Sequence, residues 1–163
     1  MTEITLPYGK GHIGAPIAEE RIAGWIRSRL DEYRPPAGQK ELAEQAMAAP
    51  IGSPALAELA QGKNKVVILC SDHTRPVPSR YLLPPMLEQI RQGNPQADIT
   101  LLVATGCHRG STAQELEEKF GPEIMAREKI VVHDCDDEEH MQYMGVLPSG
   151  GPLYLNQIAV QAD

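Results

Sequence analysis

The 163-residue chain is poor in aromatic residues and in cysteine, and it has no long apolar run. Aromatic residues make up 4% of the chain, so its core must be built from Val, Ile, Leu, Ala and Met. Its three cysteines have no spacing typical of a disulfide framework, which favours a reducing compartment. No segment approaches the roughly 18 apolar residues of a membrane span, and the N terminus does not resemble a signal peptide. We therefore expect a cytoplasmic protein with no membrane partner.

The chain also lacks an excess of basic residues. It has 15 Lys and Arg against 22 Asp and Glu, a net charge of −7, which argues against a nucleic-acid-binding surface because such surfaces are basic. A phosphate or carboxylate ligand would therefore need a locally positive pocket. The sequence contains no Walker loop, GxGxxG, CxxC or HExxH motif. We expect neither an ordinary nucleotide-binding domain nor a metal site made by this chain, and we interpret the acidic run 134–139 as a solvated loop.

The middle of the chain alternates short apolar runs with helical patterns. The predicted elements are strands at 65–70, 98–104 and 129–133 and helices at 79–92 and 112–120. Pro84 and Pro85 inside the first of these helices predict a late start or a kink, and Thr112 with Glu115 predicts a capping box. The alternation predicts an α/β domain of three layers, with a mostly parallel sheet and helices on both faces.

Patterns outside this region are less regular. We predict a strand at 2–6 followed by a turn at 7–11, a helix at 39–49, a second helix from Pro54 to Gly62 with Ser53 as its N-cap, and a strand or a helix within 152–163. Residues 19–30 fit a helix through Ile22, Ile26 and Leu30, but Gly24 weakens that pattern and a strand is equally compatible.

Two polar clusters follow consecutive predicted strands. The first is Ser71-Asp72-His73-Thr74-Arg75-Pro76, and the second is Thr105-Gly106-Cys107-His108-Arg109-Gly110. Because crossovers between parallel strands are right-handed, both clusters should lie at the carboxyl edge of the sheet, where α/β proteins bind ligands. A carboxylate, two arginines and two histidines gathered there would bind an anion and move a proton.

Single residues in these clusters leave two interpretations open. Arg75 either binds a carboxylate or phosphate through its planar guanidinium or pairs with Asp72 to shape the turn. His108 is either a general acid–base or an exposed loop histidine. Asp72 either orients a histidine or accepts a hydrogen bond from a ribose hydroxyl, or it forms an Asx turn or a helix cap. Further candidates for holding phosphate oxygens are the hydroxyls of Thr74 and Thr105 and the backbone near Gly106.

These clusters, with two other motifs, resemble the N-terminal domain of the nickel-dependent lactate racemase family. The other motifs are Leu6-Pro7-Tyr8-Gly9-Lys10 and Pro50-Ile51-Gly52-Ser53. The resemblance runs in order along nearly the whole chain. It implies a two-domain isomerase that interconverts stereoisomers of lactate or a related 2-hydroxy acid. It also implies a nickel-pincer nucleotide, a pyridinium mononucleotide that accepts a hydride from the substrate α-carbon and leaves a planar 2-keto acid.

The resemblance also implies roles for residues of this chain. His108 would match one of two acid–base histidines that act on the substrate hydroxyl, Arg75 would hold the substrate carboxylate, and Asp72 would support the site. The residues implied to contact the cofactor are Asp72, Thr74, Arg75, Thr105 and Gly106. Most nickel ligands would come from the cofactor and from the C-terminal part of the enzyme.

In that family the second histidine, the cofactor-anchoring lysine and the nickel-ligating histidine lie beyond the position of Asp163. We therefore expect residues 1–163 to be a single α/β domain, the N-terminal catalytic half of a larger enzyme whose partner is its own C-terminal domain. Alone, it is expected not to racemise a substrate. The residues by themselves leave an alternative open, a non-catalytic binding module for a phosphorylated small molecule or nucleotide that uses Arg75, Arg109 and the Gly106 loop.

Overall fold

The computed structural model describes residues 1–163 as two compact units, 1–36 and 37–163. The first unit contains an antiparallel hairpin of β1 (Thr2–Tyr8) and β2 (Gly11–Ile17), closed by a turn in which Gly9 has a φ of 58°. The predicted strand and turn are confirmed, although the strand runs two residues further and β2 was missed. With two glycines and a proline, GHIGAPI has a weak strand pattern. No side chain of this unit is buried.

The segment 19–30 forms neither of the two predicted structures. It contains only single turns of 3₁₀ helix at Glu19–Arg21 and Arg29–Asp31, with irregular chain between them. Two of the three apolar residues that suggested a helical face have nothing to pack against, since Ile26 is fully exposed and Leu30 is 77% exposed. A short amphipathic segment without a packing partner does not gain enough to form a helix.

The second unit carries the α/β fold. Its elements are α1 (Gln39–Ala48), α2 (Leu56–Leu59), β3 (Lys65–Ser71), α3 (Ser79–Gly93), β4 (Asp98–Ala104), α4 (Ala113–Phe120), α5 (Pro122–Arg127), β5 (Lys129–Val132), β6 (Met141–Val146), β7 (Pro152–Asn156) and α6 (Gln157–Val160). Strands β3, β4 and β5 pair in that order, all parallel, with Ser71 opposite Ala104. Strands β6 and β7 form a separate antiparallel hairpin. None of the helices is long and apolar enough to cross a membrane.

Strand β4 is the centre of the core. Residues 99–103 are all buried because β3 and β5 flank the strand in the sheet. Its alternate side chains join one cluster with residues of the helices, namely Leu83, Leu87, Ile90, Leu116, Phe120 and Ile124. The predicted α/β class, a parallel sheet flanked by helices, is therefore confirmed.

Most predicted elements are present, with differences at their ends. Helix α3 begins at Ser79, without a late start, and contains both prolines. Ser53 is not a helix cap: its hydroxyl donates to the Pro54 carbonyl, and the one-turn helix α2 begins only at Leu56. After Gly121, where φ is 89°, Pro122 starts the unpredicted helix α5. The unpredicted β6 pairs with β7, so the C-terminal segment holds both a strand and a helix.

Candidate active site

The two polar clusters meet at the carboxyl edge of the parallel sheet, as predicted. The first leaves β3 and the second leaves β4, its neighbour in the sheet. A hydrogen bond of 2.6 Å joins His108 Nδ1 to Asp72 Oδ2, across 36 positions of the sequence. The crossover through α3 therefore brings these two side chains into direct contact.

Asp72 uses its two carboxylate oxygens for different purposes. Oδ1 accepts hydrogen bonds from the Thr74 amide at 3.1 Å and the Thr74 hydroxyl at 2.7 Å, which form an Asx turn. Oδ2 faces His108. Both interpretations drawn from the sequence, turn former and histidine partner, are thus confirmed for one buried side chain. These bonds, first from Thr74 and then from His108, hold the pKa of Asp72 well below its ordinary value.

The state of Asp72 decides which nitrogen of His108 carries a proton. An ionised carboxylate only accepts hydrogen bonds, so Nδ1 must be the donor in this contact. In the neutral imidazole Nε2 is then the basic nitrogen, and it makes no hydrogen bond within the protein. The side chain of His108 is 47% exposed while that of Asp72 is 3% exposed. Asp72 thus fixes the ring of His108 through Nδ1 and leaves Nε2 free to contact a ligand.

Arg75 lies in the same turn with its guanidinium exposed. No carboxylate lies within ion-pair distance of it, so the interpretation in which Arg75 pairs with Asp72 is wrong. Only the backbone amide of Arg75 bonds to Asp72, through the carbonyl oxygen at 3.3 Å. The guanidinium is therefore available for an anionic ligand.

A cavity of about 450 Å³ lies between the ends of β3 and β4, and its lining includes Asp72, Arg75, Thr105, Gly106 and His108. The hydroxyl of Thr105 donates to the His133 carbonyl at 2.6 Å, and that of Thr74 donates to Asp72, so neither donor is free for a phosphate. Both hydroxyls hold the turns in shape, and their role as donors to a phosphate stays a prediction.

The backbone of the second cluster remains available to a ligand. Gly106 has a φ of 59°, and the amides of Gly106 and Cys107 donate to no acceptor in the protein. A side chain added at Gly106 would meet no atom within 4 Å, which shows that the space over this turn is open. Successive free amides of this kind bind anions.

Glu115 connects the second cluster to the first. Its carboxylate accepts from both terminal nitrogens of Arg109, at 2.9 and 2.6 Å, and from the Thr112 amide at 2.8 Å. His73 Nε2 lies 3.5 Å from it, and His73 Nδ1 lies 3.0 Å from the Ser111 hydroxyl. The bonds from Arg109 and then Thr112 lower the pKa of Glu115 to about 2. Since Glu115 engages Arg109, that arginine is not free for a ligand.

The capping box at Thr112 and Glu115 is confirmed. Sequence reasoning did not find the link to His73, and it also missed Lys119. Lys119 Nζ donates to the Arg75 carbonyl at 3.0 Å. Lys119 lies four residues after Glu115 on α4, so both side chains lie on the same helix face. This spacing is the sequence signal that could have placed Lys119 near the site.

Comparisons with known proteins identify relatives of this chain. Residues 8–163 match the lactate racemase N-terminal domain family. Over 163 residues the chain is 45% identical to the lactate racemases of Thermoanaerobacterium thermosaccharolyticum and Lactiplantibacillus plantarum, and it spans 38% of the length of each.

Solved structures give the same result. The lactate racemase apoprotein from Thermoanaerobacterium thermosaccharolyticum superposes with a TM-score of 0.88 at 44% identity, over 99% of this chain and 37% of that one. A Thermotoga maritima protein with a TM-score of 0.58 and 17% identity, over 75% of this chain and 31% of that one, shares the fold alone.

Proposed function

The chain belongs to the lactate racemase N-terminal domain family, and on this basis we propose that it is the N-terminal catalytic part of a racemase or epimerase of 2-hydroxy acids. The observation that carries the proposal is the Asp72–His108 hydrogen bond beside an unpaired Arg75 in one cavity. A 2-hydroxy acid presents a carboxylate and a hydroxyl on adjacent carbons. These residues supply one group suited to each.

Arg75 binds the substrate carboxylate in this proposal. Its guanidinium offers parallel N–H donors that match two carboxylate oxygens, and it has no competing carboxylate in the protein. Such a contact fixes the orientation of the substrate relative to the edge of the sheet. It also gives an acidic chain, of net charge −7, a local positive charge that attracts an acid to this cavity.

His108 Nε2 takes the proton from the substrate hydroxyl when the hydroxy acid is oxidised. It gives the proton back when the 2-keto acid is reduced. Removing that proton favours conversion of the carbinol carbon to a carbonyl, because the oxygen can then share its electrons with carbon. The proton on Nδ1 stays on the side of Asp72, whose negative charge stabilises the imidazolium that forms. Asp72 is thus a positioning residue for His108.

The residues also fit a mononucleotide cofactor such as the nickel-pincer nucleotide. The free amides of Gly106 and Cys107 suit phosphate oxygens, and the open space over Gly106 admits a ligand close to the backbone. In this proposal Asp72, Thr74 and Arg75 of the first cluster and Thr105 of the second also contact the cofactor. When bound, this cofactor supplies reversible hydride acceptance from the substrate α-carbon. The remaining nickel ligands belong to the C-terminal part of the enzyme in this proposal.

The partners in this proposal are a small 2-hydroxy acid and the C-terminal domain of the same enzyme. The chain spans 38% of its relatives, so the acid–base group for the opposite face of the substrate is expected in that domain. We also propose a cytoplasmic location, which suits the three free thiols.

A two-domain protein tests the proposal. Residues 1–163 replace the equivalent part of the Thermoanaerobacterium lactate racemase, and the protein is loaded with the nickel-pincer nucleotide. We expect it to racemise lactate or another acid in a panel of 2-hydroxy acids. His108→Ala should lower kcat by on the order of 10²–10⁴-fold, the usual contribution of a general acid–base, with an unchanged circular dichroism spectrum.

His140→Ala is the matched control. His140 also bonds a carboxylate through Nδ1, Asp137 at 2.7 Å, but it lies on the exposed segment before β6. Its replacement should leave kcat unchanged. A loaded, folded two-domain protein that racemises no acid in the panel, or a His108→Ala variant with full activity, would refute the proposed function.

A further inference from the structure

Two cysteines whose thiols the proposed function does not use lie on neighbouring loops. Cys107 follows β4 in the second cluster, and Cys135 follows β5, the neighbour of β4 in the sheet. Both are exposed, and both line another cavity, of about 480 Å³, beside the candidate active site. The strands that precede the two cysteines determine how far apart they lie.

The contact between the β4 and β5 segments continues past the ends of the strands. The His133 amide donates to the Val103 carbonyl at 2.9 Å, and the Thr105 hydroxyl donates to the His133 carbonyl at 2.6 Å. Cys107 and Cys135 each lie two residues beyond this contact along their own loops. Paired strands lie about 4.8 Å apart. A disulfide spans this separation, because its Cα atoms are usually about 4.4–6.8 Å apart.

Hydrogen bonds also hold the backbone around each cysteine. The His108 amide donates to the Thr105 carbonyl at 3.1 Å and closes the turn of the second cluster. The Asp136 amide donates to Asp134 Oδ1 at 3.0 Å, which forms an Asx turn around Cys135. Backbone contacts thus hold the two cysteines near each other, whatever their side chains do.

The two thiols also interact directly. Desolvation and the charge of Asp136 raise the pKa of the Cys135 thiol, and Cys107 adds to this shift through its charge and a hydrogen bond. A thiol is a weak donor and a weak acceptor, so it bonds another thiol only when the two sulfur atoms are neighbours. Cys135 Sγ also donates to Asp136 Oδ1, over 3.9 Å. The pair is therefore placed for a covalent bond between the sulfur atoms.

We propose that Cys107 and Cys135 form a reversible disulfide, a modification site next to His108. Each thiol loses a proton, and two electrons pass to an oxidant that is itself a small disulfide, such as oxidised glutathione. One cysteine thiolate attacks a sulfur of the oxidant and displaces the first glutathione. The other cysteine thiolate attacks the resulting mixed disulfide, closes the disulfide of the protein and releases the second glutathione.

The disulfide fixes the turn of the second cluster to the loop after β5. Cys107 lies between Gly106 and His108, so the bond restrains the backbone next to the histidine that Asp72 orients. Disulfides in reducing compartments are usually transient and respond to oxidants. The inference concerns thiol chemistry alone and does not depend on racemase activity.

Cys70 is the internal comparison for this chemistry. It is 6% exposed in the core, and burial raises the pKa of its thiol to about 11. Its thiol donates to the Ile68 carbonyl at 3.6 Å, within β3. Because the thiolate is the reactive form, Cys70 should stay a free thiol when the exposed pair is oxidised.

Incubation of the reduced 163-residue chain with oxidised glutathione tests the proposal. We expect the mass of the chain to fall by that of two hydrogen atoms. After denaturation, iodoacetamide should alkylate Cys70 alone, and the tryptic peptides of Cys107 and Cys135 should be joined. Treatment with dithiothreitol should restore three thiols that can be alkylated.

Single serine variants distinguish a pair from two independent exposed thiols. Cys107→Ser and Cys135→Ser each leave one exposed thiol, which should carry one glutathione and form no disulfide within the chain. Cys70→Ser is the matched control and should form the same disulfide as the parent. If Cys70→Ser does not fold, alkylation of Cys70 in the oxidised parent supplies the same comparison.

NMR spectroscopy tests the effect on the site. On oxidation of the parent, the ¹H–¹⁵N shifts should change at residues 105–109 and 133–137 and stay the same along α3. The proposal is refuted if the parent carries two glutathiones with no joined peptides, if its mass does not change, or if the bond joins two chains or includes Cys70. Shifts that change throughout α3 would contradict a local restraint on the two loops.

Discussion

Asp72 is the residue on which the chemistry of the site depends. One of its oxygens is fixed by Thr74, so the other has a single position from which it meets His108 at 2.6 Å. The low pKa of Asp72 keeps the carboxylate ionised at physiological pH. A buried, ionised and immobile acceptor thereby selects one tautomer of a histidine that is half exposed itself.

Replacing Asp72 by Asn should reverse that tautomer without changing the shape of the side chain. The two donors of Thr74 will retain the amide oxygen, so the amide NH₂ will face His108 and make Nδ1 an acceptor. Nε2 then carries the proton and cannot take one from a substrate. We expect exchanged ¹⁵N shifts of the His108 ring in the 163-residue chain. In the two-domain protein, kcat should fall by on the order of 10²–10⁴-fold.

Asp137→Asn is the matched control for this substitution. It makes the same change in the exposed Asp137–His140 pair, whose hydrogen bond is 2.7 Å long. The His108 ring shifts and kcat should both stay as in the parent protein. Unchanged His108 shifts in Asp72→Asn would contradict the role assigned to Asp72.

At the scale of elements, α4 holds the His108 loop in place. Its capping residue Thr112 and its Glu115 bind each other reciprocally, and Glu115 also engages Arg109, the neighbour of His108. His73, from the loop after β3, approaches the same carboxylate at 3.5 Å. One side chain thus stabilises the start of the helix and joins the two loops of the site.

The stability of the chain should depend on pH through Glu115. Folding lowers its pKa from 4.5 to about 2, so its contribution is complete above pH 4.5 and is lost as the pH falls toward about 2. Glu115→Gln should therefore lower the free energy of unfolding at pH 7, and its deficit relative to the parent should shrink through that window. Urea unfolding at pH 7, 4 and 3 measures this difference.

Glu118→Gln is the control on the same helix. Glu118 is exposed and its carboxylate bonds only Gln114, so its replacement should change the free energy of unfolding little at any of these pH values. A Glu115→Gln deficit that stays constant from pH 7 to pH 3 would show that the carboxylate charge is not what stabilises the loop.

At the scale of the whole molecule, the hydrophobic core and the candidate site lie in the unit 37–163. Every buried residue belongs to this unit, from Ala43 to Ile124. The unit 1–36 has only a hairpin and two 3₁₀ turns, with no buried side chain. The burial of apolar surface that drives folding therefore comes from the second unit.

Removing residues 1–36 should consequently leave a chain that still folds. We expect residues 37–163 to unfold cooperatively, with a melting temperature within a few degrees of that of the full chain. The ¹⁵N shifts of the His108 ring, which report its hydrogen bond to Asp72, should be unchanged. As a control, Leu101→Ala in the full chain, at a fully buried position of β4, should cost about 2–5 kcal/mol. A truncated chain without a cooperative transition would contradict this division.

The prediction from sequence was best where local patterns and burial agree. Strands β3, β4 and β5, the long helix α3 and the capping box of α4 all have strong local signals, and all are present as predicted. It was weakest where an element depends on a distant partner. Strands β2 and β6 and the helix α5 have short or glycine-rich sequences, and β2 and β6 exist because another segment pairs with them.

For the candidate site, the sequence by itself determined that Asp72, Arg75 and His108 follow adjacent strands, because parallel strands end at one edge. The resemblance to a known family came from the same short motifs. Only the tertiary structure decided which groups are free: Arg109 is engaged by Glu115 and the Thr105 hydroxyl by His133, while Arg75 and His108 Nε2 are not engaged. These choices depend on distances of a few ångströms between chain segments far apart in sequence, which no local pattern encodes.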